Sequence, residues 1–79
     1  MKNIDYVQAI GKYIRKLRHE TGLSILKFSA ICDISPTYID KIELGKVNVS
    51  IDILISICYA LEIEPYLLLR EAKFTIDDA

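Results

Sequence analysis

Ser35-Pro36-Thr37-Tyr38-Ile39-Asp40-Lys41-Ile42-Glu43-Leu44-Gly45 reads as one short helix with its start and stop signals both present. Ser35 is an N-cap residue, whose hydroxyl accepts a hydrogen bond from an orphan backbone N–H. Pro36 takes the first helical position, where its missing N–H costs nothing. Gly45 suits a left-handed C-terminal cap. Between the caps, Ile39 and Ile42 lie on one apolar stripe with Tyr38 beside it, while Thr37, Asp40 and Lys41 point elsewhere. A helix with so narrow an apolar footing and a polar outer face is suited to presentation in a groove.

Just upstream, Ser24 caps a helix that runs to about Cys32, with Phe28 and Cys32 as its chief inward residues. Asp33-Ile34 then turns tightly into Ser35. Two short helices joined by three or four residues make a helix-turn-helix, here over residues 24–44. Further upstream, Val7, Ile10, Ile14 and Leu17 recur at three- and four-residue steps and predict a first helix from about Asp5 to Thr21, closed by Gly22. Downstream, Lys46 to Val49 reads as a loop. Ser50 caps a fourth helix, Ile51 to about Leu61, with Leu54, Ile57, Cys58 and Leu61 as its core stripe and Ile53 and Tyr59 on the other side. Pro65 starts a fifth helix, to about Arg70. Residues 72–79 lack a period and are expected to fray. The predicted fold is all-α: one five-helix domain over residues 1–79, with its core in 5–71.

Length and composition fit that fold. Seventy-nine residues support one domain. An apolar content of 52% argues against disorder. The net charge of −1 conceals a polarity along the chain. Lys2, Lys12, Arg15, Lys16 and Arg18 face only Asp5 and Glu20 in residues 1–22, whereas Arg70 and Lys73 face Asp52, Glu62, Glu64, Glu71, Asp77 and Asp78 in residues 51–79. A basic first part can dock on phosphate while the acidic end faces away.

Other classes of function find little support. Cys32 and Cys58 are too few and too isolated for a metal site or a disulfide framework, and both fit apolar positions as buried thiols. His19 has no Cys, Ser or carboxylate arrangement around it, and there is no phosphate-cradling glycine loop. We therefore expect no enzyme, no metal and no cofactor; no small-molecule effector is evident. The N-terminus lacks the apolar run of a signal peptide, and Ile53 to Leu61 is too short to span a membrane, so a cytoplasmic protein without a membrane partner is expected.

Several stretches resemble the lambda repressor-like (Cro/CI, or XRE-type) helix-turn-helix domains. They are Ile10 to Arg18, Gly22-Leu23-Ser24, Ser35 to Lys46, Asn48-Val49-Ser50-Ile51 and Ala60-Leu61, and the resemblance covers roughly residues 7–70. It implies a five-helix DNA-binding fold whose third helix enters the major groove of double-stranded DNA. Arg18 and Glu43 match a structural ion pair tying the first helix to the end of the third. Pro36, Thr37 and Lys41 match positions facing base edges, with Asp40 nearby. Ser24, Ser35, Lys46 and Asn48 match places that approach phosphates, and Lys12 and Arg15 on the basic face of the first helix are further candidates. Size and the Arg18 and Asn48-Val49-Ser50-Ile51 pattern look most like the controller proteins of restriction–modification systems.

There are departures from that family. Ile25 stands where Gln usually reaches phosphate, and Leu44 and Val47 stand where Arg is common. Lys41 alone can read a guanine edge, without the fork of Arg. Binding by one monomer is therefore expected to be weak. Two linked recognition helices gain ~10²–10⁴ in affinity when their geometry allows both to engage. Ile53, Tyr59, Tyr66, Leu67 and Leu69 are the expected contacts of a two-fold homodimer, which would bind a palindromic operator as a transcriptional regulator. The alternative is a helix-turn-helix fold used as a protein-interaction module, motivated by the apolar Ile25, Leu26, Ile31, Leu44 and Val47.

Overall fold

The computed structural model describes residues 3–77, and the side chains of residues 5–74. Five helices follow in order: α1 (Asn3–Glu20), α2 (Ile25–Cys32), α3 (Pro36–Glu43), α4 (Ile51–Leu61) and α5 (Pro65–Asp77). No strand is present among the described residues. Three starts share one device. Ser24, Ser35 and Ser50 sit in extended backbone, and their hydroxyls accept from the amides of Lys27, Tyr38 and Ile53 at 3.1, 3.2 and 3.2 Å.

The ends of α1 to α4 also share one device, in which an amide reaches back five residues to an orphan carbonyl. The donors are Leu23, Ile34, Lys46 and Ile63; the acceptors are Arg18, Ser29, Lys41 and Cys58. Each such turn needs one left-handed residue. Gly22 and Gly45 supply it at two ends, with φ of 76° and 72°, while Asp33 and Glu62 supply it at the others, with φ of 58° and 56°. An L-residue there costs about 1–2 kcal/mol, a cost that the short polar side chain of Asp relieves better than the longer one of Glu.

The core is formed by Ile14, Phe28, Ile39, Ile42, Ile57, Cys58 and Leu68, all fully buried, and Cys32, Leu54 and Leu61 extend it. α1 packs along α5 and crosses α3, while α2 lies against α3 and α4. The α1–α3 crossing depends on Gly11. A Cβ there would strike the carbonyl oxygen of Ile42 and lie 2.9 Å from that of Glu43, so the two backbones touch directly.

The fifth helix corrects one expectation. It does not stop near Arg70: α5 continues to Asp77, and Ala72 is fully buried. The Tyr6 hydroxyl donates to the Leu69 carbonyl at 2.6 Å, tying α1 to α5 across the chain. Packing on α1 holds a helix that local periodicity would have ended. Residues 78 and 79 of the expected tail lie outside the described residues.

Two measurements test this packing. Gly11→Ala gains about 1 kcal/mol of helix propensity, yet backbone overlap of this kind costs at the upper end of ~1–3 kcal/mol or beyond. A net fall in Tm by several degrees is expected in thermal unfolding followed by circular dichroism; an unchanged or raised Tm would show that the crossing is looser. Burial pushes the Cys32 thiol up to about 11, and raises Cys58 as well, with the Glu64 carboxylate adding to the latter. Both thiols are free and neutral in the fold at pH 8. A thiol-reactive reagent should label neither until denaturant is added. Because the unfolded thiols ionise first, stability should fall as pH rises from about 9 to 11.

Candidate nucleic-acid interface

α3 buries one side and exposes the other. Ile39 and Ile42 point into the core and Tyr38 packs beside them, whereas Pro36, Thr37, Asp40, Lys41 and Leu44 are exposed. Thr37 and Lys41, one turn apart, share a ridge with Asp40 between them. The caps leave chemistry available at its start: Ser35 uses a lone pair to hold the Tyr38 amide, and its O–H remains able to donate to an anion. Ser24 at the start of α2 is equally exposed and in the same state. Lys12, Arg15, Lys46 and Asn48 are exposed too. Lys16, on the same helix as Lys12 and Arg15, instead lies over the Tyr13 ring at 5.9 Å.

What holds this ridge in place is polar and buried. Arg18 Nε donates to Glu43 Oε2 at 2.7 Å and its Nη2 donates to Oε1 at 3.1 Å, a two-point pairing. Its Nη1 donates to the Leu23 carbonyl at 2.9 Å, so the same side chain also holds the α1–α2 turn. Arg18 and Glu43 are each only 6% exposed, and among the described residues no buried side-chain N or O lacks a partner. Glu43 ends α3, where the helix dipole disfavours an anion; the guanidinium offsets that cost.

The residues expected to join two copies divide. Ile53 and Leu69 are partly buried against the protomer's own core, Leu67 is half-buried, and Tyr59 and Tyr66 stand out at 83% and 69% exposure. The outward stripe of α4 is Ile51, Ile55 and Tyr59, at steps of four, a pattern that could have been read from the sequence. Of the apolar residues that suggested a protein partner, Ile25 and Val47 pack on the core while Leu26, Ile31 and Leu44 are exposed. Gly11 was also missed as a positioning residue, although a glycine inside a helix is the usual mark of a close approach.

The helix-turn-helix domain profile matches residues 11–78. The chain belongs to the helix-turn-helix domain family. Curated proteins show no match by sequence. Among solved structures, the helix-turn-helix chain is similar to the clp gene regulator ClgR from C. glutamicum, with 28% identity, a TM-score of 0.86, and 90% of this chain and 91% of that one covered. It is also similar to the restriction-modification controller protein C.AhdI from Aeromonas hydrophila, with 31% identity, a TM-score of 0.76, and 78% and 94% covered. The fold is shared with C.Esp1396I, a controller protein seen as a tetramer on its natural 35-base-pair operator, at 24% identity, a TM-score of 0.81, and 90% and 93% covered. No helix among the described residues is long and apolar enough to cross a membrane.

The clamp behind α3 can be tested by a double-mutant cycle. Arg18→Met or Glu43→Leu alone leaves a buried charge unpaired, at a cost of about 3–5 kcal/mol. That is much of the ~4–12 kcal/mol expected for a domain of this size. The double variant should recover most of the loss, because neither charge remains. Single variants melting at the parental temperature would tell against the pair.

Proposed function

We propose that this helix-turn-helix domain is a sequence-specific DNA-binding transcriptional regulator that acts as a homodimer. The observation that carries it is the exposed ridge of α3, with Pro36, Thr37, Asp40 and Lys41 outward while Arg18 and Glu43 clamp its far end. In a major groove, Lys41 would donate to a guanine edge and the Thr37 hydroxyl would donate or accept; Asp40 would reject bases that present only acceptors. Ser24 and Ser35 would donate their O–H groups to phosphate, supported by the N-termini of α2 and α3. Lys46, Lys12 and Arg15 would supply charge, and Asn48 a neutral amide. The regulators named above, one of them bound to its operator, support this reading by likeness.

Two base-edge donors per protomer are few, and so a dimer is part of the proposal. We place its contact on the outer faces of α4 and α5, from Ile51, Ile55, Tyr59 and Tyr66, with the half-buried Leu67 beside them. A two-fold dimer sets its third helices in successive major grooves, ~34 Å apart, and so favours a palindromic operator. The exposed Leu26, Ile31 and Leu44 favour a second reading, a protein-interaction module that does not need DNA.

Duplex binding against salt separates the two. Three cations per protomer give a slope of log K on log salt of roughly −5 for a dimer, at ~0.9 per phosphate. No binding at low ionic strength would remove DNA from the proposal. With an operator selected from a random duplex pool, Lys41→Ala should weaken binding by about 1 kcal/mol per half-site and relax one base preference, with no change in Tm. Uniform loss across all sequences would make Lys41 a phosphate contact instead.

A further inference from the structure

An open groove of about 740 Å³ lies between the end of α2, the outer face of α4 and the α4–α5 turn. Its walls include Ile31, Ile55 and Tyr59, all more than half exposed, and its rim carries Glu62 and Glu64. Glu62 stands in the left-handed conformation, where glycine would be unstrained, so a carboxylate is kept at this rim at a backbone cost. Apolar walls with an acidic rim fit an apolar or aromatic group flanked by cations.

The same chain carries such a group. Tyr66, Arg70 and Phe74 fall at steps of four along α5, with Lys73 beside Phe74, and all four are exposed. The buried face of that helix is Leu68 and Ala72. Among the described residues, none of Glu62, Glu64, Arg70 and Lys73 forms an ion pair within the protomer. Arg70 and Lys73 are also the only cations in residues 51–79, where six carboxylates would otherwise repel those of a second copy.

We propose that the groove of each protomer receives the outer face of α5 from a second copy, with Phe74 over its apolar wall and Arg70 and Lys73 paired to Glu62 and Glu64. This rests on the homodimer reading above and deepens it. Antiparallel α5 helices about a two-fold axis set the start of one against residues about nine positions further along the other, ~13 Å away along the helix. Both grooves then fill by the same contact, and the dimer closes. Each charge pair occurs twice, so salt opposes assembly of the dimer as well as its contact with phosphate.

Sedimentation equilibrium of the full chain in the absence of DNA, over a range of salt, tests this. Glu62→Lys with Glu64→Lys should weaken the dimer by about tenfold or more, and Arg70→Glu with Lys73→Glu should do the same, because like charges then face each other. All four substitutions together should restore the parental Kd to within about threefold. Lys at position 62 meets the same backbone strain as Glu, and circular dichroism checks that each variant is folded. A dimer indifferent to either reversal, or one not restored by the combination, overturns this pairing but leaves the homodimer standing. A chain that stays monomeric at about 100 µM overturns both. A monomer that binds a synthetic amphipathic Leu/Lys peptide, and loses it in Ile55→Asp, would assign the groove to a different protein and overturn the pairing too.

Discussion

The ion pair of Arg18 with Glu43 is the constraint on which the rest of this domain depends. Through it a single side chain joins α1, the turn into α2, and the end of α3. A buried pair of this kind adds little net stability over a well-packed apolar substitute, because desolvation consumes most of the attraction. What it adds is direction. A two-point guanidinium–carboxylate contact tolerates little rotation, whereas Ile39 and Ile42 could slide within an apolar footing of only two residues. The bare backbone contact at Gly11 sets the depth of the same crossing.

With α3 fixed in this way, its outer ridge gains accuracy but not strength. The side chains available to it are short, neutral or single-pointed, and the cation among them is a lysine, which lacks the fork of Arg. Two features compensate in the proposed function. The hydroxyls that cap α2 and α3 keep a donor for phosphate while serving the helix. In the proposed dimer, the exposed apolar side chains on the outer faces of α4 and α5 would hold a second copy, which would turn two weak encounters into one. In that dimer the Glu62 and Glu64 carboxylates of the acidic last part would be half of a contact whose other half is Arg70 and Lys73.

Most of the fold was legible because its punctuation is local. Ser24, Ser35, Ser50, Gly22, Gly45 and the two prolines each act on backbone groups within a few residues, so their positions alone marked helix boundaries that the structure reproduces to within a residue or two. The turn at Asp33-Ile34 was legible in the same way. The Arg18–Glu43 pair spans 25 residues and came from resemblance to a family, not from spacing. Faces were harder. α4 is apolar nearly all round, and periodicity alone put Ile53 outward when it packs on the core, while Ile51 and Ile55 face out.

The sequence by itself determined where four of the five helices start and stop, that the chain is all-α, and that one short capped helix presents a polar face. Capping and amphipathic period are short-range chemistry, complete within a dozen residues. Only the tertiary structure decided how far α5 runs, which side of α4 is left uncovered, and why a glycine stands inside α1. Each of those depends on which neighbour comes to lie against a helix: α1 against α5 at Leu69, the core beneath Ile53, the carbonyls of Ile42 and Glu43 against Gly11. A helix carries no record of that neighbour in its own period.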